Sequence, residues 1–442
     1  MKKPWILALF VLLAFSLSAC GWFSDDEEVP EGRIEISFWH MSPVGGDSYS
    51  GMRRIIREFN ESQEQYFVRG TGINFWDYWD RINVAIAARN APDIGFHTLD
   101  NVILRAQNNA LYNISELIEA DLAAGLPTIE LEAFIENQLD FAAYNEQLYA
   151  LPFTATTRVL YYNLDAFAEV GLTEADVPTT WSELYDVAKQ LDKVSGTSIE
   201  RIGFDPTYGQ GTYHGFLWQN GLDFFDENLD VTLNTQAHVD VLEWMINFNT
   251  GDGGFTRSQL NTFGEGNQML GINPFAAGRV AMIIETDGLY QTMKLHGSDI
   301  NFGVAPIPVP DEDGIRINWG SGFSIEMYNN EDEERLEATW AFMKYLMDYE
   351  TQIDLADVNG WLMGHYRAME TFVAGNPVLE ALLEEVQFAV DKVYVPYAPN
   401  WHANDWQRYY DDALSERRTP AEVIAMARAN YLQKQENWEA AN

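Results

Sequence analysis

The chain has 442 residues, 47% of them hydrophobic and 14% aromatic, and its 67 acidic against 27 basic residues give a net charge of −40. That balance excludes nucleic acid and anionic lipid faces as partners, because both demand a basic surface. Length and apolar content suffice for two good-sized domains with packed cores.

Lys2 and Lys3 precede the uncharged run "PWILALFVLLAFSLSA", the layout of a secretory signal peptide over residues 1–19. The run is shorter than the ~20 residues a membrane span requires. Cys20, the only cysteine, closes "LSAC", which resembles the bacterial lipobox. Cys20 is therefore expected to carry the lipid that anchors the protein on the extracytoplasmic face of the cell membrane, at the cell surface or in the periplasm. Residues 20–33, "CGWFSDDEEVPEGR", read as an acidic tether. With Cys20 on the lipid, the folded part has no disulfide and no cysteine-based metal site. Lysines are few, and an acid-rich, lysine-poor surface suggests a salty habitat where counter-ions screen self-repulsion.

The first folded element is "RIEISFWH", whose alternating Ile34, Ile36 and Phe38 predict a strand. Met52, Ile55, Ile56 and Phe59 then fall on one helical face. "QYFVRG" reads as a strand, residues 76–89 as a helix and "PDIGFH" as a short buried strand. Trp76 and Trp79 share helical spacing with Ile82 and Ile86, which predicts core positions for both. The alternation continues and predicts an α/β fold with mainly parallel sheets. Thr180 with Glu183, and Thr419-Pro420 with Glu422, mark two helix starts as capping boxes. The longest amphipathic helix is predicted from about Asp332 to Gln352, with Leu336, Trp340, Met343 and Met347 inward.

No catalytic signature stands out. The seven histidines lack metal-ligand spacing, no serine sits in a G-x-S-x-G turn, and no dinucleotide or P-loop occurs. No cofactor and no metal are expected, and the chain is not expected to be an enzyme. What stands out are aromatic and polar residues at the C-terminal ends of predicted strands, where open α/β sheets bind ligands. Trp39 and His40 end the first strand, and His97 and Asp100 follow "PDIGF". Asp205 and Tyr208 follow "RIGF", Asp287 follows "VAMIIET", and Trp319 lies in "NWGSGFSI".

Stretches from residue 34 onward carry a family resemblance. They include "ISFWHMSP", "AIAARNAPDI", "LYALPFTATTRVLYYNLDAF", "PTTWSEL", "AAGRVAMIIETDG" and "GSGFSI". In these the chain resembles the extracellular solute-binding proteins of sugar ABC transporters, the broad family that includes the maltose-binding protein. The resemblance implies a two-lobed periplasmic-binding-protein-like fold with hinge crossings and a ligand cleft between the lobes. Crossings are implied near "FTATTR", "NWGSG" and "VNGWLMG". The N-terminal lobe would hold 34–155 plus 320–360, and the C-terminal lobe 156–319 plus 361–442. Trp361, near a crossing, and Trp401, before a helix that carries a pocket aromatic in the family, join the candidate site.

The implied function is capture of a sugar or oligosaccharide by lobe closure and delivery to a membrane permease, by a protein that is a monomer by default. Aromatic rings cover the apolar faces of a pyranose, while carboxylates, amides and arginines bond its hydroxyls. Two or three rings, at ~25 cal/mol/Å², supply roughly 3–4.5 kcal/mol, less than the ~5.5 kcal/mol that drives a closure equilibrium from 1:99 to 99:1. Polar groups of both lobes must therefore engage, Asp100 on one and Asp205 or Asp287 on the other. The maltose-specific pattern is not met, since His97 and Asn101 stand where that branch has tryptophan and arginine. Other solutes, namely a sugar phosphate, polyol or polyamine, define an alternative reading. For an anionic ligand only Arg158, Arg201 and Arg257 are suitably placed. A lipid-anchored glycoside hydrolase and a pure interaction protein are further alternatives.

Overall fold

A computed structural model describes residues 28–46, 48–251, 253–295, 299–320, 322–399 and 401–441; the signal peptide, Cys20 and much of the tether lie outside them. Strand β1 (Ile34–His40) forms where the alternation predicts it, with Ile36, Phe38 and His40 buried on one face and Trp39 turned to the other. Helix α1 (Tyr49–Ser62) buries Met52, Ile55, Ile56 and Phe59, the stripe its spacing predicts. Next come β2 (Tyr66–Gly72), α2 (Phe75–Ala87), β3 (Ile94–Thr98) and the short α3 (Val102–Gln107). The middle of the chain supplies β4 (Leu151–Pro152), β5 (Arg158–Asn163), α4 (Trp181–Leu191), β6 (Met282–Thr286) and β7 (Phe302–Ala305). The last part supplies β8 (Asn318–Trp319), β9 (Phe323–Met327), α5 (Glu333–Leu346), α6 (Tyr349–Asn359), α7 (Pro377–Glu385), β10 (Ala389–Val390) and α8 (Pro420–Ala441).

The first sheet has the order β2-β1-β3-β9-β4. β1 pairs in parallel with β2 and β3, whereas β9 runs antiparallel between β3 and β4. The second sheet, β6-β5-β7, is antiparallel throughout, against the expectation of mainly parallel pairing. A buried apolar strand looks alike in either direction, so the sequence carries no sign of which way β6 and β7 return. The sheets have partly distinct cores. One cluster runs from Ile36, Phe96 and Phe342 on to Tyr161 and Ile283, and the other gathers Phe167, Leu242, Trp401 and Tyr431.

Both predicted capping boxes form. Thr180 accepts from the Glu183 N–H while Glu183 accepts from Thr180, and Thr419 does the same with Glu422. The predicted long helix does not stay whole. Asp348 caps a new helix by accepting from the Glu350 N–H, so α5 ends at Leu346 and α6 begins at Tyr349. Gln352 seals the break by donating its Nε2 to the Leu346 carbonyl at 2.8 Å.

Three separate stretches meet between the sheets. The Phe153 and Thr154 N–H groups both reach the Phe323 carbonyl, Ala155 donates to Leu362, and Gly364 donates to Phe153. Asn318 accepts from the Thr157 hydroxyl and the Arg158 N–H, both at 3.1 Å. The segments around 153–158, 318–323 and 362–364 are thus laced together by hydrogen bonds.

Candidate ligand-binding cleft

Because β9 runs antiparallel to β3, Phe323 lies opposite Thr98, beside the C-terminal end of β3. Four rings line up there. His97 lies 6.1 Å from Trp79, Trp79 lies 5.4 Å from Phe323, and Phe323 lies 5.6 Å from Trp361. His97 and Trp361, far apart in sequence, are joined through two rings that the sequence did not assign to the site. α2 buries Tyr78, Ile82 and Ala85, so Trp79 is half-buried at the edge of that face. Trp76, expected in the core, is 80% exposed, because two residues from Tyr78 is more than half a turn away. His97 Nδ1 accepts the Thr98 N–H at 2.8 Å, which leaves the proton on Nε2 to donate to Asn83 Oδ1 at 3.0 Å.

A second group surrounds Trp319. The guanidinium of Arg158 and the ammonium of Lys392 each lie 3.9 Å from the ring centroid, where a sugar face would otherwise stack. Trp319 donates its indole N–H to Asp391 at 3.0 Å, and Arg158 donates to the Trp319 carbonyl at 2.5 Å and to Gln210 at 3.4 Å. Trp319 is therefore a holder of two cations rather than an open platform. Burial lowers the pKa of Arg158 to about 10 and that of Lys392 as well, against the pull of neighbouring acids. Asp391, Asp287 and Glu285 act on Arg158, and Asp391 and Asp100 on Lys392. The cations are balanced by carboxylates, and Arg158 Nε has no hydrogen-bond partner among the described residues. Lys392, absent from the predicted site, left one signal: it is a rare lysine in a lysine-poor chain.

The other candidates separate. Asp100 bonds Asn101 at 2.9 Å and shares a small cavity with Lys392, Phe225, Trp401 and His402. Tyr208 is half-buried 6.3 Å from Phe263, its hydroxyl pushed up to about 12 by burial and by Asp205. Trp39 sits in a shallow apolar trough with Val84, Ala85 and Ala88.

Four further expectations need correction. His40 is not a hydroxyl partner: the period of two puts it on the buried face with Phe38, 1% exposed, its Nδ1 accepting from Ser42. Asp205 spends one oxygen on Thr207 and the other on Asn249, organising its own loop. Asp287 is buried where the crossings meet, accepting from the Leu362 and Thr157 N–H groups; desolvation outweighs them and raises its pKa to about 6. Trp401 is 1% exposed, packed against Phe224 and Tyr431 and donating to Asn430 at 3.0 Å. Of the arginines considered for an anion, Arg201 pairs with Glu169 and Arg257 with Glu416.

Burial also fixes an acid response. His40 and His402 are pushed down to about 3 by desolvation, and His97 and His214 well below their ordinary value, again mainly by burial. The unfolded chain takes up protons on these rings below about pH 6.5 while the folded chain does not. Their contribution is thus fully present above pH 6.5 and is lost as the pH falls toward the depressed values, by up to about 1.4 kcal/mol per pH unit for each ring. Asp287 acts in the opposite sense between about pH 6 and 4, as do Asp192, Asp223, Glu285 and Glu385, whose carboxyl pKa values burial also raises. His365, lowered by burial, acts with the four rings. Denaturant titrations should give a clearly lower unfolding free energy at pH 5 than at pH 7, and equal values would show that the four rings titrate freely.

Two α/β sheets joined by laced crossings, with aromatic and charge-balanced groups beside them, define a protein of the two-lobed ligand-binding class. A family model described as bacterial extracellular solute-binding protein matches residues 54–363, and the chain belongs to that family, whose place is outside the cytoplasm. The sn-glycerol-3-phosphate-binding periplasmic protein of Brucella abortus is 25% identical over 350 residues, covering 75% of this chain and 74% of that one. The mannobiose-bound structure of CpMnBP1 superposes with a TM-score of 0.72 at 21% identity, over 90% of this chain and 99% of that one. The cyclic alpha-maltosyl-1,6-maltose binding protein from Arthrobacter globiformis gives 0.72 at 18% identity, over 92% and 100%. These relatives are binding proteins.

Proposed function

We propose that this chain captures a neutral carbohydrate between its lobes and delivers it to an ABC transporter permease, without chemical change to the sugar. The carrying observation is the run of rings His97, Trp79, Phe323 and Trp361 beside a charge-balanced polar group. Trp79, Phe323 and Trp361 supply apolar faces for a pyranose, with the buried His97 backing Trp79, and Gln210 and Asp100 supply hydroxyl partners. In this reading Asp287 acts on the hinge rather than on the sugar. The lobes are taken as 34–155 plus 320–360 and 156–319 plus 361–442. Packing of α6 on α1, and of α7 on β5 and β7, supports that division, while the helix Tyr366–Val373 bridges it by packing on both α6 and α7. The protein is taken to act as a monomer anchored through Cys20.

A phosphorylated polyol is the second reading, favoured by the glycerol-phosphate-binding relative. The acids around Arg158 and Lys392 weigh against it, since they already neutralise the cations an anion would need. A thermal-shift titration decides. Malto-, manno- or arabino-oligosaccharides should raise the melting temperature saturably, by about 2.7 kcal/mol of stabilisation at a hundred times Kd. A shift with sn-glycerol 3-phosphate alone would establish the second reading, and hydrolysis of an aryl glycoside would make the protein an enzyme.

A further inference from the structure

Between α2 and α3, over the face of β3 that carries His97, lies a crevice of about 910 Å³. It starts at Trp79, His97 and Asn101, the ring end of the cleft, and runs along the first lobe to Asn329, Asn330 and Glu331. β9 is antiparallel to β3, with Met327 opposite Ile94, so the crevice's far end lies at the opposite end of these two strands from Thr98. Its volume lies within the ~300–1,000 Å³ of ligand pockets.

The lining is rich in amides: Asn83, Asn101, Asn108, Asn109, Asn329 and Asn330. Each amide offers donors and an acceptor, the complement of a hydroxyl that does both. Much of this capacity is unspent. Asn109 makes no side-chain hydrogen bond among the described residues, Asn108 uses only its Nδ2 on the Leu104 carbonyl, and Asn83 uses only its Oδ1 on His97. The charges cancel. Arg105 is paired with the buried Glu326, and exposed Arg89 and Glu331 are of opposite sign. Arg89, Asn109 and Glu331, three of seven non-glycine residues with positive φ among the described residues, all border this one crevice. Left-handed backbone costs on the order of 1 kcal/mol per residue and tends to persist where function holds it.

We infer that the crevice is a second subsite, continuous with the cleft, that holds the far end of a neutral oligosaccharide, so the ligand has three or more sugar units. This rests on the carbohydrate reading above. The test is calorimetric titration of the full chain with malto-, manno- and arabino-oligosaccharides of two to five units. It compares the parent with Asn108→Ala/Asn109→Gly, which removes two amides while glycine keeps the left-handed backbone, and with Ala87→Trp, which plugs the crevice from an exposed helical position. In the parent, affinity should rise at least ten-fold from two to four units. Both variants should lose about ten-fold for four units and keep the disaccharide affinity within two-fold. Disaccharide binding that does not improve with length, or variants that weaken every length equally, would overturn the subsite and leave the carbohydrate reading standing. Failure of every sugar would overturn both.

Discussion

Arg105→Leu should cost about 3–5 kcal/mol, a drop in melting temperature on the order of 10 °C. Arg105 shares its single Nε–H between the two Glu326 oxygens, at 2.8 and 3.1 Å, and donates again through its terminal nitrogen, while Glu326 is fully buried on β9. Leucine would leave that carboxylate in the sheet with two neutral hydroxyls, of Ser324 at 2.7 Å and of Tyr328, and no positive charge to balance it. Stranding one buried charge is far worse than removing both. Arg105→Met/Glu326→Leu should therefore stay within about 1 kcal/mol of the parent or exceed it. Urea titrations of the parent and both variants read this, and equal losses in the single and double variants would show that the charges are not coupled. Arg105 also donates to the Thr98 carbonyl at 2.7 Å, where β3 gives way to Leu99, Asp100 and Asn101, so the single variant should weaken ligand binding too.

Gly364→Ala should cost about 3 kcal/mol, the upper end of ordinary overpacking, and reduce ligand affinity about ten-fold. A Cβ on Gly364 would lie 1.9 Å from the Pro152 carbonyl oxygen. The same holds along the crossings: a Cβ on Gly322 would lie 2.3 Å from the Thr154 oxygen, and one on Gly320 2.6 Å from the Thr156 oxygen. Backbone carbonyls cannot swing aside as side chains do, so the crossing segments would have to part and give up the bonds from Phe153, Ala155 and Gly364. None of the three glycines has positive φ, so close approach alone requires them. Gly266, within the helix Arg257–Leu270, is the control, since its Cβ would meet only Arg279 at 3.8 Å. Gly266→Ala should stabilise by about 0.5–1 kcal/mol. Melting curves and titrations of the pair test this, and a Gly364→Ala protein with parental stability and affinity would show that the crossings yield easily.

Much of the fold was legible because it is local. Alternation set β1, the stripe of Met52, Ile55, Ile56 and Phe59 set α1, and the boxes at Thr180 and Thr419 set two helix starts, each within a few residues of chain. The break between α5 and α6 was also written locally, in Asp348, but a continuous apolar stripe masked it. Strand direction in the second sheet was not, because hydrophobic runs read the same both ways.

The site divides along the same line. The sequence by itself determined that aromatic and polar residues cluster at strand ends and crossings, and it carried the family through motifs such as "PTTWSEL". Only the tertiary structure decided which of them face outward. Trp39 and His40 are neighbours on one strand, yet the layer packed on one face buries His40. Trp76 and Trp79 share one helix, yet only Trp79 meets Phe323 from the other end of the chain. Asp205 and Asp287 look like ligand carboxylates until Asn249, Thr157 and Leu362 arrive to claim their oxygens. A side chain's type is fixed by its codon, but its partners come from elements tens to hundreds of residues away, and partners decide whether a polar group or ring has anything left to offer a ligand.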